Sequence, residues 1–133
     1  MKRIADSGLI IAALDKRDAH HRWATAILSR EPPPWLVCEA VLTEIAASVG
    51  TPDPVLEMLQ IGDLELDFDL RENVAEVRSV VKKYRDQNMD LADACVVRMN
   101  ELLEGSVVYT VDKKDFSIYR RDGKKPIRSV FPA

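Results

Sequence analysis

Short apolar runs alternate with helix-type segments along the whole chain, and this alternation limits the available folds more than any other feature. Ile4-Ala5, Trp35-Leu36-Val37-Cys38 and Val107-Val108-Tyr109 read as strands, and Leu64-Glu65-Leu66-Asp67-Phe68 reads as a half-buried strand by its period of two. Ser7 is placed to N-cap a helix running through Leu14. Asp18 is expected to cap a second helix with Trp23, Ile27 and Leu28 on its inner face, which Pro32-Pro33-Pro34 stops. Glu39 to Val49 forms a helix closed by Gly50, and Val55 to Ile61 a shorter one. Val74, Val77, Val80 and Val81 give helical spacing to Leu70–Tyr84, and Asp90–Leu103 is a mostly apolar helix ended by Gly105. Ser129-Val130-Phe131 adds a last edge strand. Strands separated by helices pair in parallel, so the fold class is α/β, a sandwich with a central mostly parallel sheet flanked by helices.

A chain of 133 residues divided in two would leave each half near the lower limit for an independent core, so residues 1–133 read as one domain. A hydrophobic fraction of 47% beside 31% charged residues excludes a disordered or fibrous chain. Ile4 to Leu14 follows two basic residues as a signal peptide would, yet Asp6 interrupts it, no small-residue cleavage site follows, and no apolar run approaches membrane-spanning length. A soluble, cytoplasmic protein with no membrane partner is expected. Cys38 and Cys95 lie in apolar sequence without metal-ligand spacing, and both read as buried reduced thiols.

Carboxylates carry the chemical signal. In an open parallel sheet, ligands collect outside the carboxyl ends of the strands, and Asp6 and Asp112 each follow an apolar strand run. Each on its own is equally a turn or helix cap. Glu44 has no charged neighbour between Glu39 and Asp53. Asp93 sits on a helix that is apolar nearly all round, with Asp90 before it in the position of an N-cap. Four acids converging on one cleft would repel one another unless a cation neutralised them. Oxygen ligands with no His or Cys beside them suit Mg²⁺ or Mn²⁺, and such a site polarises a phosphodiester and activates water.

Ala5-Asp6-Ser7-Gly8-Leu9-Ile10 with Asp18-Ala19-His20-His21, then Leu42-Thr43-Glu44-Ile45, Met89-Asp90-Leu91-Ala92-Asp93-Ala94 and Thr110-Val111-Asp112-Lys113-Lys114-Asp115-Phe116 follow one another in an order and spacing that resembles the PIN-domain family, notably its VapC-type toxins. The resemblance runs from Ile4 to about Pro132. It implies a PIN-like three-layer sandwich and a Mg²⁺- or Mn²⁺-dependent endoribonuclease, the toxin of a toxin–antitoxin pair, held in check by a small VapB-like antitoxin and usually homodimeric. Matched residue by residue, the family's acidic quartet falls on Asp6, Glu44, Asp93 and Asp112, as metal ligands and catalytic groups, with Thr110 as a polar neighbour expected to meet substrate. Asp115 shares a loop with Asp112, and either could be the fourth ligand.

Residues 113–133 hold seven cations against two acids, net +5, whereas residues 1–112 hold 12 against 20, net −8. Lys113 and Lys114 flank the proposed site and are the candidates for phosphate contacts. His20 and His21 resemble a pair seen in the family after the first helix, but with no third His they read as packing or surface residues, and Trp23 and Trp35 read as core. Two other classes compete. A receiver-type phosphoacceptor has similar length and a Lys-Pro dipeptide such as Lys125-Pro126, but Thr51-Pro52-Asp53-Pro54 reads as a turn where that class needs a strand-terminal Asp. A PIN fold kept only as a catalytically silent binding module is separated from the enzyme by turnover alone.

Overall fold

The computed structural model describes all 133 residues. Five parallel strands form one sheet: β1 (Arg3–Ala5), β2 (Trp35–Val37), β3 (Leu64–Leu66), β4 (Val107–Tyr109) and β7 (Ser129–Val130), in the order β3-β2-β1-β4-β7. Arg3, Ile4 and Ala5 pair with Val107, Val108 and Tyr109, so β1 and β4 end level, and Asp6 leaves the sheet beside Thr110. The helices are α1 (Ser7–Leu14), α2 (His21–Arg30), α3 (Glu39–Val49), α4 (Asp53–Gln60), α5 (Val74–Lys83), α6 (Leu91–Leu102) and α7 (Lys113–Ile118). They flank the sheet, giving the α/β sandwich that the alternation of runs implies. A cluster of 30 buried residues from Ile4 to Ile127 forms the core, with Trp35 set edge-on to Tyr109 at 4.8 Å between ring centroids.

Several local expectations shift. Asp6, in extended conformation, caps α1 in place of Ser7, its carboxylate accepting from the Ser7 N–H. Asp18 accepts from the backbone N–H of His20 and shapes the turn before α2. The helix α2 then starts at His21, whose Nδ1 lies 2.7 Å from the Ala12 carbonyl oxygen in a packing role. The helix expected from Leu70 opens with a 3₁₀ turn, Arg71–Asn73, because the Asn73 amide donates back to the Asp69 carbonyl while its oxygen accepts from Arg98. β3 is an edge strand, and only Leu64 is buried while Leu66 is exposed. A two-stranded antiparallel hairpin, β5 (Arg120–Arg121) and β6 (Lys125–Pro126), was not expected, and it turns through Asp122 and Gly123, both at positive φ.

Gly8 has a clear reason to be glycine. A Cβ there would fall inside the van der Waals envelope of Val111, so the first turn of α1 rests directly on the loop leaving β4. That contact keeps Asp6 and Asp112 on neighbouring loops. No helix is long and apolar enough to cross a membrane. Cys38 and Cys95 are free and buried, as expected.

Candidate metal centre

Each acid reaches the carboxyl edge of the sheet for a local reason. Asp6 follows β1 and is 6% exposed. Asp90 caps α6 by accepting from the Asp93 N–H at 2.8 Å, and Asp112 caps α7 by accepting from the Asp115 N–H at 3.0 Å. Capping of this kind sets residue N3 on the same side as the cap, so Asp93 and Asp115 are presented beside their caps. Carboxylate oxygens of Asp93, Asp112 and Asp115 all lie within 4.8 Å of one another. Asp112 and Asp115, the alternatives the sequence offers for the fourth position, both lie in this group.

Asp6 stands against this trio. Its Oδ2 accepts a 2.7 Å hydrogen bond from the Thr110 hydroxyl, whose oxygen accepts in turn from the Asp112 N–H at 3.0 Å. Thr110 is fully buried. Its expected contact with substrate is therefore corrected: the hydroxyl is committed to locking Asp6 to the loop that carries Asp112. Glu44, on the second turn of α3, stands at the margin of the group, outside the close trio and near enough to Asp90 and Asp6 to feel their charge. Asp93 feels the charges of Asp6, Asp90 and Asp112, Asp115 those of Asp112 and Asp90, and Glu44 those of Asp90 and Asp6.

The electrostatic result is a set of carboxyls in which burial and mutual repulsion favour the protonated form. Burial pushes Asp93 up to about 8, the charges of Asp6, Asp90 and Asp112 adding to it, while the Tyr119 hydroxyl opposes the rise by donating to Oδ2 at 2.8 Å. Asp6 is raised by burial against the opposing bonds from Thr110 and Ser7. Glu44 is raised by burial, and Asp115 by burial and then by Asp112. No salt bridge reaches Asp6, Asp93, Asp112 or Asp115. Oxygen-only donors at this spacing fit a hard divalent cation.

The cations of residues 113–133 do not form one strip. Lys113 and Lys114 are exposed on the first turn of α7, beside Asp112. Arg121, Lys125 and Arg128 instead line a small polar cavity of about 140 Å³ with Gly105 and Ser106, which precede β4 and so lie at the other end of that strand. The sequence gives no sign of the Tyr119 bond, and it sets Asp115 only as an alternative to Asp112, where the structure brings both together. The N3 spacing from Asp112 was the one signal available for Asp115. No protein-family model and no curated protein matches the chain.

Proposed function

We propose that this protein is a Mg²⁺- or Mn²⁺-dependent endoribonuclease and the toxin of a toxin–antitoxin pair. The observation that carries the nuclease reading is the convergence of Asp93, Asp112 and Asp115, within 4.8 Å of one another, with buried Asp6 beside them and no salt bridge to any of the four. The choice of RNA, and of an antitoxin as partner, rests on the resemblance of the sequence motifs to VapC-type toxins.

A divalent cation bound there would polarise a phosphodiester and favour hydroxide over water. The chain's own part is to hold its ligands still. Thr110 fixes Asp6, Tyr119 fixes Asp93 Oδ2 and leaves Oδ1 uncommitted, and the two helix caps fix Asp90 and Asp112. Lys113 and Lys114 can draw the phosphates of a strand toward a centre that would otherwise repel them. His21 takes no part, since its ring is bonded to the Ala12 carbonyl in the last turn of α1. The reaction thus depends on carboxylates and cation alone.

The test is incubation of end-labelled RNA, and of DNA of the same sequence, with the purified protein in Mg²⁺ or in EDTA. Internal cleavage of RNA that Mg²⁺ supports and EDTA stops is expected. Binding of RNA without cleavage in Mg²⁺ or Mn²⁺ would instead identify a silent binding module.

A further inference from the structure

We propose that Cys38 and Cys95 form a modification site, a dithiol that hydrogen peroxide oxidises to an intramolecular disulfide between the head of α3 and the second turn of α6. The site uses none of the acids, and the inference stands whether or not the protein cleaves RNA. These are the only two cysteines of the chain, far apart in sequence, and the fold gathers them at one place. Cys38 follows β2 and stands at the head of α3, while Cys95 lies on α6, which packs against α3 and β1. Both are free and buried, and both line one cavity of about 640 Å³. The Cys95 thiol, through the hydrogen bond between the two side chains, does most to hold Cys38 below the usual thiol range against the effect of burial. A place at the start of a helix acts in the same direction. Cys38 is thus the attacking thiol and Cys95 its resolving partner.

The cavity supplies the approach for the oxidant. It opens between the start of α3, the loop after β3 and the first turns of α6, with Phe68, Leu70 and Leu91 as apolar wall. Glu39 and Asp69 line it too, and Arg71 balances only one of them. A small neutral peroxide passes such an entrance, whereas an anionic disulfide such as oxidised glutathione is opposed by its charge.

The reaction closes on the two sulfurs. The Cys38 thiolate attacks one peroxide oxygen, so that an S–O bond forms as the O–O bond breaks, and the departing hydroxide takes up the proton the thiol released. Cys95 then attacks the sulfenic sulfur: the S–S bond forms, the S–O bond breaks, and the second hydroxide leaves as water with the Cys95 proton. Two thiols and one peroxide give one disulfide and two waters, the sulfurs oxidised and the peroxide oxygens reduced. A dithiol reductant restores the pair by exchange.

The experiment treats the reduced full-length protein with hydrogen peroxide in EDTA, alkylates it with iodoacetamide after unfolding, and reads the intact mass and the peptide map. Loss of two hydrogens is expected, with no alkylation, a cross-linked pair of peptides carrying Cys38 and Cys95, and return of both thiols with dithiothreitol. Cys95→Ala should stop at a Cys38 sulfenic acid that dimedone traps, and in Cys38→Ala the oxidation of Cys95 should be about tenfold or more slower. The wild-type masses decide the bridge without either variant. Persistence of both free thiols in peroxide, stepwise gain of oxygen on either cysteine without a bridge, or a bridge between two chains would overturn the proposal. Equal oxidation rates of the remaining cysteine in the two single variants would overturn the assignment of Cys38 as the attacking thiol.

Discussion

The Tyr119 hydroxyl donates a 2.8 Å hydrogen bond to Asp93 Oδ2 from 26 residues further along the chain. Tyr119 is fully buried, its ring set edge-on to Tyr84 and Phe116 with both centroids at 5.1 Å. Three aromatic rings thereby lock one carboxylate oxygen at the head of α6. The bond favours the ionised form of a carboxyl that burial drives toward the protonated one.

Tyr119→Phe keeps the ring packing and removes the bond. Groups that orient a metal ligand typically change activity about 10- to 100-fold when lost, so cleavage at pH 7 should fall by roughly that factor. Because Asp93 would then hold its proton more tightly, the acidic limb of the pH–rate profile should move to higher pH and part of the activity should return near pH 9. A uniform loss at every pH would show that Tyr119 acts only in packing.

Without metal, the carboxyl cluster should destabilise the fold as pH rises. Asp93 has an ordinary value of 3.8 and is pushed up to about 8 in the native state, so the native state holds this proton more tightly than the unfolded one. The stabilising contribution is complete below pH 4 and is lost progressively as pH rises toward 8. Asp6, Glu44 and Asp115 are shifted in the same direction. In EDTA the melting temperature should be several degrees higher at pH 5.5 than at pH 8, and Asp93→Asn should remove much of that slope. A melting temperature that is flat or rises over this range would contradict the assigned charge states.

Divalent cation should reverse the effect at pH 8. A ligand that binds only the native state adds about 2.7 kcal/mol at roughly 100 Kd. Millimolar Mg²⁺ or Mn²⁺ should therefore raise the melting temperature, and Asp112→Asn or Asp115→Asn should reduce the rise. NaCl at equal ionic strength is the control. An equal shift in NaCl would mean that charge screening, not coordination, is responsible.

Gly8→Ala places a methyl group against Val111 and should push the first turn of α1 away from the loop carrying Thr110 and Asp112. Cleavage should fall more steeply than stability, since overpacking costs about 1–3 kcal/mol while the Asp6–Thr110 bond depends on sub-ångström placement. Adding Val111→Ala should restore much of the activity. Failure of the double variant to recover while folded would detach this contact from the site.

Of the basic residues, only those beside the acids should guide RNA to them. Binding to single strands weakens with salt by about 0.7 log units per contacted phosphate for each log unit of salt. Lys113→Ala with Lys114→Ala should flatten that slope by about one or two contacts, measured with Ca²⁺ replacing Mg²⁺. Lys125→Ala with Arg128→Ala, at the other end of β4, should leave it nearly unchanged. Equal slopes for wild type and the Lys113/Lys114 variant would place the RNA elsewhere.

Much of this architecture is legible where local signals and tertiary packing agree. The bounds of α3 follow from the apolar run and from Gly50, which closes it at φ 95°. Asp6, Glu44, Asp93 and Asp112 stand out because a carboxylate in apolar sequence needs a reason. The β5–β6 hairpin is illegible by comparison, because its strands are two residues each and carry Arg120, Arg121 and Lys125, with no apolar period to read. Leu66 departs from its alternation because β3 lies at the sheet edge and packs little. Thr110 and Tyr119 are polar residues whose partners lie 104 and 26 positions away. No local pattern could assign those bonds.

The most direct test of the metal-centre account is the Mg²⁺ dependence of RNA cleavage by wild type and Asp93→Asn, each checked for native fold by circular dichroism. The account requires that wild type be silent in EDTA and saturate with millimolar Mg²⁺, and that folded Asp93→Asn lose cleavage about 100-fold or more at every Mg²⁺ concentration, as removal of a ligand from a shared metal site implies. Cleavage by wild type in EDTA, or by folded Asp93→Asn within a few-fold of wild type, would contradict it.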